Sequence, residues 1–170
     1  AVFFDSKTGF SCAPKSGKDH SMLIYTKLDS LPAKTNKGSS LTGALKATQK
    51  ILKRRALVFV ISDFRTTGYE TELARLGQKH DVIALCCTDR TDIELPEMGC
   101  IPFIDVETNS KKILPTSHPV FKRTWRKAYE ERMERWKTIC TKRAVTPQIL
   151  STSDDAVAVL TRLFSIRNKV

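Results

Sequence analysis

The sequence predicts an α/β domain built on a mostly parallel sheet with helices on both faces. Two continuous apolar runs, "ALVFVIS" at 56–62 and "DVIALCCT" at 81–88, have the composition of strands that are buried on both sides. Segments with apolar residues three or four apart lie before, between and after these runs, which favours amphipathic helices. Strands that alternate with helices are typical of parallel sheets. We therefore expect the two runs to form neighbouring parallel strands.

The first forty residues contain two short strand-like segments, one helical segment and a loop. "AVFF" at 1–4 and "FSCAP" at 10–14 flank a polar turn, so we predict a pair of strands. Apolar residues within "GKDHSMLIYTKLDSL" at 17–31 favour a helix. The polar run at 32–40, marked by proline and glycine, predicts a loop before the next element.

Helices on either side of the first apolar run complete the alternating pattern. "SLTGALKATQKILKRR" at 40–55 repeats apolar side chains at helical spacing, and Ser39 or Ser40 is a suitable N-cap. Its basic C-terminal residues suit the negative end of the helix dipole. "YETELARLGQKH" at 69–80 is predicted to be the helix that connects the two apolar strands.

The C-terminal half is predicted to contain a hairpin, a long helix, a strand and a final helix. Two β-like runs around "ETNS" predict a hairpin insertion at 100–115. The segment at 118–143 predicts one long helix, and "TPQILS" at 146–151 predicts the last strand. A helix over 153–168, capped by Ser153, closes the chain.

Spacing along the long helix predicts which of its side chains are buried. Its aromatic residues recur three or four positions apart, as core residues of a helix do. We therefore expect Trp125 and Trp136 to be substantially buried. The basic residues that are expected to face solvent are Lys122, Arg126, Lys127 and Arg135.

Length and charge narrow the functional classes. A chain of 170 residues suits a single domain that spans 1–170. The net charge of +11 favours nucleic acid, an anionic membrane surface or an acidic protein as a partner. A surface that is simply rich in lysine is the plainer interpretation. No apolar run approaches the ~20 residues of a membrane span.

The cysteines and the first residue indicate the context of the chain. Five cysteines without a Cys-x-x-Cys pair argue against a zinc site or a disulfide framework. They favour a reducing compartment, and we expect the cytoplasm. Because the chain begins at Ala1 without methionine, directly in a strand-like segment, we expect it to be the truncated part of a longer protein.

Several common catalytic and cofactor motifs are absent from the sequence. It has no Gly-x-Gly-x-x-Gly motif after a strand and no Walker-type loop, so nucleotide binding has no support. It also has no Gly-x-Ser-x-Gly elbow. His20, His80 and His118 are scattered, and none belongs to a motif that pairs a histidine with a nucleophile.

Asp63 is the polar residue that most strongly indicates a site. It directly follows a buried strand, and ligand sites in open α/β sheets collect at the carboxyl ends of strands. The hydroxyls of Ser39 and Ser40, at the start of the preceding helix, would meet it there. Carboxylate and hydroxyl oxygens are suited to Mg²⁺. An equally supported interpretation makes Ser39 a helix cap and Asp63 a cap of the following turn.

Five segments together carry a family resemblance: "GSSLTGAL", "LVFVISDF", "HDVIALCCTD", "IELPEMG" and the tail "YEERMERW…VTPQILSTSDD…LTRLF". In this order they resemble the bacterial von Willebrand factor A-like family long labelled domain of unknown function, number fifty-eight. The resemblance covers nearly the whole chain and implies a Rossmann-like von Willebrand A fold. Members of that family are often encoded beside MoxR-type AAA+ ATPases, which implies a partner of that class.

The resemblance also implies a role for Ser39 and Asp63. A metal-ion-dependent adhesion site in such domains takes Asp-x-Ser-x-Ser after the first strand, a threonine before a later helix and an aspartate that ends the fourth strand. Ser39 matches the threonine position, and Asp63 matches the last aspartate. The Asp-x-Ser-x-Ser loop and its strand are not in this sequence. We therefore expect no metal ion at this incomplete site, and Mg²⁺ only in a longer protein that has the loop.

The expected function is a non-enzymatic protein-interaction domain, an adaptor that works with a MoxR-type ATPase. One alternative is an enzyme of phosphoryl transfer with Asp63 as nucleophile or metal ligand. Another is a nucleic-acid-binding module that uses the basic runs "KILKRR" and "FKRTWRK". Strand edges left unpaired without the first strand also predict that this chain self-associates, most simply as a two-fold homodimer.

Overall fold

A computed structural model describes residues 1–5, 8–31, 40–104 and 110–167 and contains seven strands and six helices in those ranges. The strands are β1 (Val2–Phe4), β2 (Thr8–Ser11), β3 (Leu57–Ser62), β4 (Asp81–Thr88), β5 (Cys100–Ile104), β6 (Lys111–Pro115) and β7 (Val145–Ser151). The helices are α1 (Lys18–Asp29), α2 (Leu41–Ile51), α3 (Glu70–Lys79), α4 (Arg90–Ile93), α5 (Pro119–Thr141) and α6 (Ala156–Arg167).

The central sheet contains three parallel strands in the order β3, β4, β7. Leu57 of β3 pairs with Asp81 of β4, and Val82 of β4 pairs with Val145 of β7. β4 lies in the middle, and most of its side chains are buried on both faces, which explains its unbroken apolar run. The prediction that the two apolar runs form neighbouring parallel strands is confirmed.

Helices α2, α3 and α5 cover one face of the sheet and form the main core with it. Leu73 and Leu76 of α3 are completely buried, and Leu41 and Leu45 of α2 are nearly so. The apolar side chains at helical spacing therefore point at the sheet. The main core also contains Val60, Phe64, Tyr69, Val82, Ala84, Cys86, Met133, Trp136, Cys140 and Val145.

A close approach between α3 and the chain that enters β7 requires glycine at position 77. A Cβ atom at Gly77 would overlap the carbonyl oxygen of Arg143 and lie 3.0 Å from Cγ2 of Val145. The same arginine donates a hydrogen bond from Nε to the carbonyl oxygen of Glu70 in α3, over 3.1 Å. The missing side chain thus allows the helix backbone to pack directly on the turn before β7.

Helix α6 packs on the opposite face, so the sheet has helices on both faces as predicted. Ile83 and Leu85 of β4 form a second buried cluster with Leu163 of α6. The ring of Phe59 in β3 contacts Phe164 edge-on, with ring centroids 6.2 Å apart. The other side chains of β3 on this face are exposed.

Two antiparallel pairs of strands lie outside the parallel sheet. β1 pairs with β2, and Phe4 of β1 packs against the main core. β5 pairs with β6, from Cys100 opposite Pro115 to Ile104 opposite Lys111. Most of the "ETNS" segment between these two strands lies outside the described residues. Helix α1 buries none of its side chains.

The long helix α5 differs from its predicted burial pattern near its N-terminus. Trp136 is buried as predicted, but Trp125 is only half-buried. The side chain of Lys122, predicted to face solvent, is only 30% exposed because it forms ion pairs with Glu94 and Glu97. Those of Arg126, Lys127 and Arg135 are exposed as predicted.

Across the described ranges, neither this helix nor any other has the length and apolar character needed to cross a membrane.

Asp155, and not Ser153, caps helix α6. Its Oδ1 atom accepts hydrogen bonds from the backbone N–H groups of Val157, at 2.9 Å, and Ala158, at 3.2 Å. Asp155 directly precedes the first helical residue, where a side-chain oxygen can reach the free N–H groups of the first turn. Ser153 lies two positions earlier, and its Oγ atom hydrogen-bonds Oγ of Ser151 over 2.9 Å.

Candidate functional site

The carboxyl end of β3 carries Asp63, the residue that the sequence singles out. The chain turns sharply after it, because Phe64 adopts a left-handed backbone conformation with φ of 51°. Burial offsets the cost of this conformation: Phe64 is 7% exposed, and its ring centroid lies 5.3 Å from that of Trp136. The buried phenylalanine fixes the turn and leaves the side chain of Asp63 55% exposed at the sheet edge.

The carboxylate of Asp63 interacts with the turn that follows it and with a guanidinium group. Its Oδ1 atom accepts a hydrogen bond from the backbone N–H of Arg65 over 3.2 Å. Its Oδ2 atom lies 3.8 Å from Nε of the same arginine. Arg65 also forms an ion pair with Asp92, so one guanidinium bridges two carboxylates. These contacts support the interpretation of Asp63 as a residue that caps a turn.

The described residues around Asp63 do not fit a metal ion. A cation at this carboxylate would lie close to the positive charge of Arg65, which repels it. Within residues 1–5, 8–31, 40–104 and 110–167, no three His, Cys, Asp or Glu side chains lie together so that they could hold one ion. Ser39, the other predicted metal ligand, lies outside the described residues. The pairing of Ser39 with Asp63 therefore stays a prediction.

The start of α2 and the loop after Asp63 meet at the same end of the sheet. Oγ1 of Thr42 donates a hydrogen bond to the carbonyl oxygen of Gly68 over 3.2 Å and joins the two segments. Ser40 occupies the N-cap position of α2, but its side chain makes no capping hydrogen bond. The alternation of strands and helices thus predicts which segments meet. Of the two candidate caps, Ser40 forms no side-chain cap, and Ser39 lies outside the described residues.

A second carboxylate, that of Asp89, joins the carboxyl ends of β4 and β7. It accepts hydrogen bonds from Oγ1 of Thr152 at 2.6 Å and from the backbone N–H and hydroxyl of Thr91 at 2.9 and 2.7 Å. These bonds favour the ionised form and lower the pKa of Asp89 to about 2. Asp92 completes a capping box by accepting a bond from the backbone N–H of Asp89 at 2.9 Å. Asp89 thereby anchors the short helix α4 to the sheet.

We expect the substitution Asp89→Asn to lower the melting temperature at neutral pH, because a neutral amide is a weaker acceptor for these donors. The pKa of Asp89 in the folded chain lies below its ordinary value of 3.8. Its contribution to stability is therefore present above about pH 4 and is lost as the pH falls towards about 2. The melting curves of wild type and variant should converge over that range. Asp19→Asn, on the exposed helix α1, is the control. A difference in melting temperature between wild type and Asp89→Asn that stays constant with pH would contradict this role of Asp89.

A cleft of about 470 Å³ opens beside α4. The segment 93–97 forms one wall, and the N-terminal turns of α5 form the other. The rings of Phe121 and Trp125 pack against each other in it, with centroids 5.8 Å apart and their planes tilted by 30°. Nε1 of Trp125 donates a hydrogen bond to the carbonyl oxygen of Thr91 over 3.2 Å, which fixes the indole against α4. A volume of this size suits a small ligand or a side chain of a bound protein.

The charged residues of the cleft are mostly arranged in ion pairs. Lys122 pairs with Glu97 and lies 3.8 Å from Oε1 of Glu94. Arg126 lies 3.7 Å from the other oxygen of Glu94. The hydrogen bond between Lys122 and Glu97 lowers the pKa of the carboxyl and raises the pKa of the amine, so both are charged at neutral pH. Among the described residues, Arg123 forms no ion pair and is the free cation of this cleft.

The turn that leads from β6 into α5 holds one end of the cleft in place. Thr116 is completely buried, and its Oγ1 atom donates to the carbonyl oxygen of Gly99 at 3.0 Å. Oγ1 of Thr116 also accepts a hydrogen bond from the backbone N–H of Met98 at 3.2 Å. Ser117 accepts another from the backbone N–H of Gly99 at 2.8 Å. Both walls are therefore tied together, and the cleft is pre-formed.

Comparison with known proteins places the chain in a family. The sequence profile of the family described as "Protein of unknown function DUF58" matches residues 1–137, most of the chain. The chain belongs to this family. The matched residues include Asp63, Asp89 and both walls of the cleft.

Three curated relatives of this DUF58 chain carry the name "Uncharacterized protein". The uncharacterized protein MAV169 of Mycobacterium avium is 29% identical over 96 residues, which are 55% of this chain and 57% of that protein. The uncharacterized proteins Rv1480 of Mycobacterium tuberculosis and Mb1516 of Mycobacterium bovis are each 26% identical over 96 residues, 55% of this chain and 30% of theirs. The aligned region thus spans less than two thirds of each relative. No solved structure matches the chain significantly.

The five cysteines of the DUF58 chain are free thiols. Burial raises the pKa of Cys86 to about 11 and that of Cys140 to about 12. Burial also raises the pKa of Cys87. A thiol with a raised pKa is protonated at neutral pH and is a poor nucleophile or metal ligand. Cys86 and Cys140 pack in the main core as small apolar residues.

Sequence reasoning predicted the position of Asp63 but not the cleft. The two walls are separated in the chain by the β5–β6 hairpin, so no local motif contains both. The signal that could have found the cleft is the pair Phe121 and Trp125, which lie one helical turn apart, with two basic residues between them and two after them. Helical spacing alone assigns both aromatic residues to the core. Periodicity shows which side chains share one face of a long helix, but it does not show how far the sheet extends under that face.

Proposed function

We propose that this DUF58 chain is a non-enzymatic protein-interaction domain, a von Willebrand A-like adaptor that binds its partner in the cleft beside α4. The observation that carries the proposal is the aromatic pair of Phe121 and Trp125 in a cleft with charged residues around it. Binding surfaces of proteins concentrate aromatic residues and arginine at their centres and polar residues at their rims.

A MoxR-type AAA+ ATPase is the proposed class of partner. The resemblance of the sequence to von Willebrand A-like proteins encoded beside such ATPases supports this choice. The net charge of +11 favours a partner with an acidic surface, and Arg123 is the residue proposed to meet a carboxylate of that partner. Such a charge contact mainly raises the association rate and sets the orientation of the complex, and it adds less to the affinity. The free cysteines are in keeping with the cytoplasm as the proposed location.

An enzymatic role in phosphoryl transfer has less support. Asp63 would have to act as a nucleophile or a metal ligand, but both of its carboxylate oxygens face groups of Arg65. Carboxylate oxygens that accept a hydrogen bond and face a guanidinium group are less available to attack phosphorus or to bind a metal ion. We therefore propose binding without turnover for this end of the sheet.

Nucleic-acid binding also has less support, because internal ion pairs occupy much of one basic run. Lys122 and Arg126 pair with glutamates of the cleft, and Lys127 lies 3.8 Å from Glu131 in the same helix. Cations paired within a protein contribute less to counterion release from phosphates. The exposed basic side chains at 53–55 remain available to phosphates. If they bind nucleic acid, the affinity should fall steeply as the salt concentration rises.

Calorimetric titration of the chain with a MoxR-type ATPase from the same organism tests the proposal. We expect the double substitution Phe121→Ala and Trp125→Ala to weaken binding at least about tenfold, since truncation of central aromatic anchors commonly costs ~2 kcal/mol or more. Val157→Ala with Ile166→Ala, two exposed apolar residues of α6, is the matched control and should bind as wild type does. Wild-type affinity of the cleft variant, with its fold intact by circular dichroism, would refute the proposed site.

A further inference from the structure

Helix α4 leads directly into segment 93–97, one wall of the cleft, and has little apolar support of its own. It contains four residues, and none of its side chains is buried among the described residues. A helix of this length is not stable through its own backbone hydrogen bonds. The position of α4 therefore depends on polar contacts with the elements around it.

Three polar contacts join α4 to different elements of the fold. Asp89, at its N-cap, is bonded to the loop after β7. The carbonyl oxygen of Thr91 accepts the hydrogen bond from Nε1 of Trp125 in α5, over 3.2 Å. Asp92 forms an ion pair with Arg65, in the loop after β3. The ion pair is the contact that connects the carboxyl end of β3 with the cleft.

The ion pair between Arg65 and Asp92 neutralises a carboxylate that has little contact with water. The side chain of Asp92 is only 16% exposed, whereas that of Arg65 is 53% exposed. One oxygen of Asp92 faces the guanidinium, and the other accepts the backbone N–H of Asp89 at 2.9 Å. A largely buried charge that loses its partner is costly. Removal of Arg65 therefore favours a movement of α4 that brings Asp92 into water.

We infer that Arg65 is a positioning residue of the cleft: it holds Asp92, which orients α4, and α4 in turn fixes Trp125 and the start of segment 93–97. Neither Arg65 nor Asp92 is among the described residues that line the cleft. Leu95 is 5% exposed and holds the middle of the wall by apolar packing. Loss of Arg65 should therefore disturb the α4 side of the cleft without unfolding it. The effect on a bound partner rests on the proposed function of the cleft.

The fluorescence of Trp125 tests the inference without a partner. In a Trp136→Phe background, Trp125 is the only tryptophan of the chain. We expect Arg65→Ala to shift its emission to longer wavelength and to raise its quenching by acrylamide, because the indole loses a fixed acceptor and meets more water. Arg65→Lys, which keeps the charge, should restore much of the original signal. Asp92→Asn added to Arg65→Ala should also recover part of it, because the uncompensated charge is then gone.

Arg75→Ala is the matched control for Arg65→Ala. It removes the ion pair with Glu72 in α3, 2.7 Å long, in which the carboxylate is also largely buried and the guanidinium exposed. The control should leave the emission and quenching of Trp125 unchanged, and far-ultraviolet circular dichroism should show every variant folded. A Trp125 signal in Arg65→Ala equal to that of the control would overturn the inference. So would a double variant with Asp92→Asn that is more disturbed than Arg65→Ala alone.

Calorimetric titration with the MoxR-type ATPase measures the consequence for binding. Arg65→Ala should weaken the affinity by about two- to thirtyfold, the range for residues that act on a site through a network without touching its ligand. If Phe121→Ala with Trp125→Ala binds as wild type does, the proposed function fails and the fluorescence result still decides the role of Arg65. If that pair of substitutions abolishes binding while Arg65→Ala keeps wild-type affinity, the positioning role of Arg65 is refuted and the cleft remains the binding site.

Discussion

Replacement of Trp136 by alanine is expected to lower the free energy of unfolding by about 3–5 kcal/mol. The indole is 3% exposed and lies in the main core, with its ring centroid 5.3 Å from that of Phe64. Its removal leaves a cavity under α5 and takes away the contact that supports the left-handed turn after Asp63. Urea unfolding followed by circular dichroism measures the loss.

Two comparisons make the Trp136 prediction specific. Trp136→Phe should lose much less than Trp136→Ala, because it keeps an aromatic ring and removes a buried indole N–H that has no hydrogen-bond partner among the described residues. Trp125→Ala should also lose less, because Trp125 is only half-buried at the edge of the cleft. Equal losses for Trp125→Ala and Trp136→Ala would mean that the core does not centre on Trp136.

Replacement of Gly77 by alanine is expected to cost about 1–3 kcal/mol, the usual range for overpacking. The added methyl group would overlap the carbonyl oxygen of Arg143. Backbone movement is hindered there, because Arg143 binds the carbonyl oxygens of Glu70 at 3.1 Å and Ile139 at 3.0 Å. The preference of helices for alanine over glycine, about 1 kcal/mol, offsets only part of this cost.

Gln78→Ala is the matched control for the Gly77 prediction. Gln78 is the next residue of the same helix, and its side chain is exposed. This substitution should leave the midpoint of urea unfolding almost unchanged, whereas Gly77→Ala should lower it clearly. A Gly77→Ala variant as stable as wild type would show that α3 and the start of β7 are not in close contact.

The sequence predicts the parallel sheet well because burial on two faces leaves a strong pattern. β4 is apolar over nearly its whole length, and the helices before and after β3 show helical spacing. Pairing order follows from this pattern, since strands joined by a helix tend to be parallel neighbours. The cap of α6 was predicted wrongly at Ser153, because Asp155 lies nearer the free N–H groups. The identity of a capping residue depends on the exact first residue of the helix. Sequence composition does not locate that residue to within one or two positions.

The sequence predicts only part of the candidate site, because most contacts of the site join segments that are distant in the chain. The position of Asp63 at a strand end follows from the apolar run before it. The bridge through Arg65 to Asp92 does not, because Arg65 lies in the loop after β3 and Asp92 lies in helix α4 after β4. The cleft likewise depends on contacts between segment 93–97 and the start of α5. Contacts between distant segments are set by the packing of the whole sheet and leave no local pattern.

Hydrogen–deuterium exchange of the chain, alone and with a MoxR-type ATPase, tests the proposed interaction most directly. We expect slower exchange on binding at 93–97 and 117–126, the two walls of the cleft, since a bound partner shields these backbone amides from solvent. Exchange at 111–115 in β6 should stay unchanged and serves as the internal reference. Slower exchange only at 57–62, or at no segment of the cleft under saturating partner, would contradict the account.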